Sequence, residues 1–108
     1  MARTTPAAAY GFLSYTTPTG RYVQGIAVGS PEWFTWLEQA ESFRFENNVG
    51  TFTARKEARA RGGMYWTAYR RAGGKLHRVY LGASDDLTPE RLQQAARDLV
   101  ASCQKFQE

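Results

Sequence analysis

One pair of residues, Gly73-Gly74, constrains the fold of this chain more than any other feature. The flanking runs, Met64 to Ala72 (MYWTAYRRA) and Lys75 to Gly82 (KLHRVYLG), are rich in aromatic and branched residues. Two consecutive glycines supply the positive φ angles that a two-residue β-hairpin needs at both central positions. The chain is therefore expected to build an antiparallel sheet, and its 14% aromatic residues and 10 glycines fit short strands and tight turns better than a helical bundle.

Charge concentrates in the same region. Gly50 to Gly82 holds eight basic residues (Arg55, Lys56, Arg59, Arg61, Arg70, Arg71, Lys75 and Arg78) against one acid, Glu57. The formal net charge of the whole chain is only +4, so the remainder is acidic and the positive charge is local. A local basic sheet interleaved with aromatics is the footprint expected of a polyanion-binding face.

A chain of 108 residues predicts one domain with a real core. Residues 10–103 are assigned to it, between a disordered arm over 1–9 and a frayed tail over 104–108. The single Cys103 excludes an internal disulfide and a cysteine-based zinc site. No apolar run approaches the ~20 residues of a membrane span. The opening MARTTPAAAY lacks the apolar core of a signal peptide, so a cytoplasmic protein is expected.

In chain order, Phe12 to Thr16 and Arg21 to Val28 read as a first hairpin, turned at Pro18 and Gly20. Ser30-Pro31-Glu32 has the form of a helix start. The helix from Pro31 to about Glu41 carries Trp33, Trp36, Leu37 and Ala40 on one face, expected to pack on a sheet. Ser42 to Glu46 and Thr51 to about Glu57 read as strands, Ala58 to Gly63 as a basic loop, and the Gly-Gly hairpin follows. Thr88 and Pro89 open a last helix with an apolar stripe of Leu92, Ala96, Leu99 and Cys103. The expected fold is α+β in the order ββαββββα. A three-stranded antiparallel sheet over 51–82 is backed by the C-terminal helix, with the N-terminal hairpin and helix extending the core or capping an edge.

Catalytic chemistry has little to work with. His77 has no nucleophile or carboxylate near it in sequence, Asp85 and Asp86 precede a helix start, and neither glycine pair is followed by the Lys-Ser/Thr of a phosphate-binding loop. The expectation is a non-enzyme with no metal and no cofactor. Alternation puts Met64, Trp66, Ala68 and Arg70 on one face of their strand, and Leu76, Arg78 and Tyr80 on one face of the next. Assigning Val79 and Leu81 with Tyr65 and Tyr69 to the core leaves Trp66, Arg70, Arg78 and Tyr80 on the open side. Arginines among flat aromatics suit phosphate and base contacts.

The pattern AYRRAGGKLHRVYLGASDDLTPERLQQAA, within about Gly50 to Val100, resembles the plant APETALA2/ethylene-response-factor domain. It is equally similar to the arm-site-binding N-terminal domains of tyrosine recombinases. Both imply a three-stranded sheet backed by a helix, with the free sheet face in the DNA major groove. By position, Arg70, Arg78 and Tyr80 match groove-facing residues, and Arg55 or Lys56 the first strand's contacts. The chain departs from both families in the hairpin, helix and strand that precede the motif, and Ala58 to Gly63 does not align. The whole chain is also similar to small bacterial proteins with an FTARKE…GGxYWxAYRR…GGKL…YLG signature, a similarity that implies no activity.

These readings converge on double-stranded DNA binding by a small bacterial regulator of transcription or a mobile-element accessory factor. The expected contact residues are Arg55, Lys56, Arg59, Arg61, Trp66, Arg70, Arg78 and Tyr80. Two other readings stay open: a protein-interaction module in which Trp33, Trp36 and Trp66 dock a larger regulator, and RNA binding by aromatic stacking. The exposed edge of the first hairpin could also pair two protomers.

Overall fold

The computed structural model describes residues 5–58 and 62–105, the last three of these in backbone only. The Gly-Gly turn forms as expected: Gly73 and Gly74 have φ of 60° and 77°, and Ala72 stands opposite Lys75. From this turn the sheet extends much further than three strands. Its elements are β1 (Ala7–Ala9), β2 (Phe12–Thr16), β3 (Tyr22–Ala27), α1 (Pro31–Gln39), β4 (Ser42–Glu46), β5 (Thr51–Ala58), β6 (Met64–Ala72), β7 (Lys75–Gly82) and α2 (Pro89–Lys105), with a 3-10 turn at Ser84–Asp86.

The seven strands form a single mixed sheet in the order β3-β2-β1-β4-β5-β6-β7. The expected order ββαββββα and the separate three-stranded sheet over 51–82 are therefore corrected. The α+β class holds, but one sheet runs through both halves. The difference lies in Ala7–Ala9, assigned above to a disordered arm. These three alanines pair antiparallel with β2 and parallel with β4, so they join the N-terminal hairpin to the β4–β7 meander. Short side chains carry no strand signature. What holds them is position: Ala8, fully buried, lies between Leu13 and Phe45 on the core face.

Both helices cover the same side of this sheet. In α1, Ser30 Oγ accepts from the Trp33 N–H at 3.3 Å, an N-cap that satisfies one of the orphan donors of the first turn. In α2, Thr88 plays that part for Arg91 at 3.2 Å, with Pro89 behind it. Trp33, Trp36 and Leu37 from α1, and Leu92, Ala95, Ala96 and Leu99 from α2, are buried against Phe43, Phe45, Phe52, Ala54, Trp66 and Ala68 of the strands. At its centre Phe43 meets Trp33 edge-on at 5.2 Å and Trp66 at 5.3 Å. Such aromatic pairs add to the burial of large apolar surfaces. The three tryptophans are thus core residues, and the exposed tryptophan patch of the interaction-module reading is absent.

Among the described residues, no helix is long and apolar enough to cross a membrane.

Candidate functional site

Among the described residues, no helix covers the opposite face of the sheet. Which side chains reach it is fixed by register, because directly opposed residues on neighbouring strands share a face. With Ala72 opposite Lys75, Tyr69 falls opposite Arg78, and Ala68 opposite Val79. Ala68 is buried and stands next to Ala54 and Phe43 in the core row. Tyr69 and Arg78 therefore face solvent, in the row Arg44, Thr53, Tyr69, Arg78 across β4 to β7. The next row is Ser42, Arg55, Thr67, Tyr80, and Glu57 lies opposite Tyr65 beyond it. Arg71, opposite Leu76, completes the face toward the Gly-Gly turn.

The face assignment made from sequence is corrected accordingly. Val79 and Leu81 share the core side with Trp66 and Ala68, and Tyr65 and Tyr69 belong to the open side. Trp66 is fully buried, and its indole N–H donates to Ser84 Oγ at 2.9 Å. Arg70 lies on the helix-covered side, opposite His77. Its Nη1 stands 2.9 Å from where a Cβ on Gly50 would be, beside Val100 of α2. That nitrogen is buried and has no hydrogen-bond partner among the described residues. Lys56 leaves the proposed contact set as well. Its Nζ donates to the Leu37 and Glu38 carbonyls at 2.6 and 3.0 Å, capping the C-terminal end of α1. It also sits 5.3 Å from the Trp66 ring centre. Burial lowers the Lys56 pKa against the opposing pull of Glu38 and Glu41.

Of the expected contact residues, the structure brings Arg55, Arg78 and Tyr80 together on the open face. Arg59 and Arg61 lie outside the described residues. The sequence reading missed Arg44, Tyr65, Tyr69 and Arg71. A two-residue turn fixes the pairing of the strands that flank it, so counting outward from Gly73-Gly74 would have put Tyr69 beside Arg78.

On this face Tyr65 and Tyr80 lie with ring centres 5.6 Å apart. Tyr69 donates its hydroxyl to Glu57 Oε1 at 2.7 Å. This hydrogen bond and one from Thr67, aided by Arg78 and Arg55, hold the Glu57 carboxyl below the usual carboxylate range. The same bond raises the Tyr69 phenol above its ordinary value. Between these groups lies a shallow depression of about 480 Å³, lined by Thr53, Arg55, Glu57, Tyr69, Arg71 and Leu76. Arg44 is only loosely tied, to Glu46 at 3.9 Å with both side chains exposed. From the rim, Arg91 of α2 donates to the Tyr80 carbonyl and ties the edge strand to the helix.

Chemically, the face offers planar aromatic surfaces, guanidinium donors, and one ionised carboxylate among them. Among the described residues no cluster of three or more His, Cys, Asp or Glu is placed to hold a metal ion. Comparison of the chain with protein-family models, with curated proteins and with solved structures returns no match.

Proposed function

We propose that the chain binds nucleic acid on the open face of β4–β7, and that the bound form is a single strand laid across the sheet. The observation that carries this reading is the assembly of Tyr65, Tyr69 and Tyr80 with Arg44, Arg55, Arg71 and Arg78 on one uncovered sheet surface. Unpaired bases stack on aromatic rings whatever their identity, while guanidinium groups hold the phosphates.

Sheet width favours a single strand over a duplex. Seven strands at ~4.8 Å spacing make a surface about 29 Å across. The major groove is about 12 Å wide and admits a helix or a two-stranded ribbon.

Fluorescence anisotropy with labelled single-stranded RNA, single-stranded DNA and duplex DNA of equal length tests the proposal. Single strands should bind more tightly than duplex, with affinity falling steeply as salt rises. Tyr69→Ala should weaken binding by about 1–3 kcal/mol, typical of one base–aromatic stack, and Arg78→Ala should weaken it and flatten its salt dependence. Arg70→Ala should leave binding of the folded protein unchanged, because its side chain is on the other side of the sheet. Preference for duplex, or indifference to both open-face substitutions, would refute the assignment.

A further inference from the structure

Glu57 is the feature of the open face that general polyanion binding leaves unexplained. It is the only acid in the basic stretch from Gly50 to Gly82. It lies between Tyr65, its cross-strand neighbour, and Tyr69, whose hydroxyl it accepts at 2.7 Å. It also lines the depression that Arg55 and Arg71 share. A carboxylate at this point repels phosphate, so it weakens the attraction the surrounding arginines supply.

Resting on the single-strand reading above, we infer that Glu57 selects guanine, its carboxylate accepting hydrogen bonds from the Watson–Crick edge of a base stacked on the neighbouring tyrosines. An ionised carboxylate only accepts hydrogen bonds, and its two oxygens offer about four lone-pair directions. The Tyr69 and Thr67 hydroxyls use two of them, which leaves two for a base. Of the four bases, guanine alone presents two adjacent donors on that edge, N1–H and the 2-amino group. Adenine and cytosine each present one donor beside an acceptor that the carboxylate would repel, and uracil presents one donor between two acceptors. The position also suits the geometry. Bases stacked on Tyr65 or Tyr69 project their edges along the sheet surface, where Glu57 is held by the Tyr69 hydroxyl. The hydrogen bonds from Tyr69 and Thr67, aided by Arg78 and Arg55, keep it ionised, as its lowered pKa reflects.

The test uses the full chain and ten-nucleotide oligouridine strands carrying one central guanosine, inosine or adenosine. Inosine keeps N1–H and lacks the 2-amino group. The expected order of affinity is guanosine, then inosine, then adenosine, with roughly ten-fold or more between first and last. Glu57→Gln should abolish that order while leaving binding of plain oligouridine equal or tighter, since a negative charge is removed. A carboxylate that serves only to orient Tyr69 would treat all bases alike. Equal binding of the three strands by the unsubstituted protein, or an equal loss on all of them in Glu57→Gln, overturns the guanine assignment while leaving the binding face in place. Failure of every strand to bind overturns both, and far-ultraviolet circular dichroism of each variant confirms that the folded sheet is what has been measured.

Discussion

The indole N–H of Trp33 donates to the backbone carbonyl of Leu87 at 2.9 Å, in the buried interior and across 54 residues of chain. It ties the first helix to the loop that launches the second. Both residues are fully buried, so neither partner could turn to water if the other were lost. Trp33→Phe keeps an aromatic ring but orphans the carbonyl and leaves part of the indole volume empty. It should cost on the order of 2–3 kcal/mol, read as a lower urea midpoint at unchanged slope. A loss under half a kcal/mol would show that the bond is dispensable.

Lys56 gives a second expectation, since it sits in the basic stretch yet caps α1. Lys56→Met keeps the apolar stem over Trp66 and leaves the Leu37 and Glu38 carbonyls without their donor. Stability should fall by about 1 kcal/mol, while affinity for single-stranded nucleic acid changes little. The opposite outcome, intact stability with much weaker binding, would return Lys56 to the contact surface.

Gly29 and Gly20 make a controlled pair. Both have positive φ, 95° and 90°. A Cβ at Gly20 would meet open space, whereas one at Gly29 would lie 2.9 Å from Pro89 Cδ. Alanine at Gly20 should therefore cost only the backbone strain, about 1 kcal/mol. Alanine at Gly29 should cost at least 1 kcal/mol more, because the start of α2 has to shift. Equal thermal shifts would mean that the approach of Pro89 to Gly29 is readily relaxed.

The Glu57–Tyr69 bond sets a pH dependence at both ends. The folded-state pKa of Glu57 lies below its ordinary value of 4.5, so its stabilisation is full above that pH and is lost as pH falls through the folded value. That of Tyr69 lies above 10.0, so its contribution is full below pH 10.0 and is lost as pH rises through the folded value. Glu57→Gln should flatten the acid limb of the stability profile below pH 4.5. It should also bring one late-titrating tyrosine back to its ordinary range in an ultraviolet difference titration. An unchanged tyrosine titration would mean that the hydroxyl finds another acceptor.

Local signals in the sequence marked every element except one. Ser30-Pro31 and Thr88-Pro89 announce both helices, the alternation in Ser42–Glu46 announces β4, and Gly73-Gly74 announces the hairpin. β1 has no such signal, because alanine is indifferent to strand formation and its pairing with β4 is long-range. The turn at Tyr10-Gly11 was equally concealed. Both residues take positive φ, 51° and 89°, and tyrosine is an unusual occupant of such a position. The site was half legible for another reason. Alternation divides residues into two faces without saying which faces of neighbouring strands coincide, and joining Tyr65 and Tyr69 to Val79 and Leu81 as the core put Trp66 on the wrong side. A large aromatic in mid-strand is more economically buried than displayed.

The parallel contact between β1 and β4 also sets an order of events as the chain leaves the ribosome. The β1–β2–β3 ribbon can close from its own local turns as soon as Ala27 has emerged. Ala8 must then wait for Phe45 before its second neighbour exists, and α1 is made in the interval. Until then the outer edge of β1 offers unpaired amide groups to any passing strand, and Trp33 and Trp36 have no Phe43 to pack on. Nascent chains stalled before residue 46 should therefore be the most prone to wrong pairing, and joining of the two ribbons is the step at which folding of this sheet is expected to be slowest.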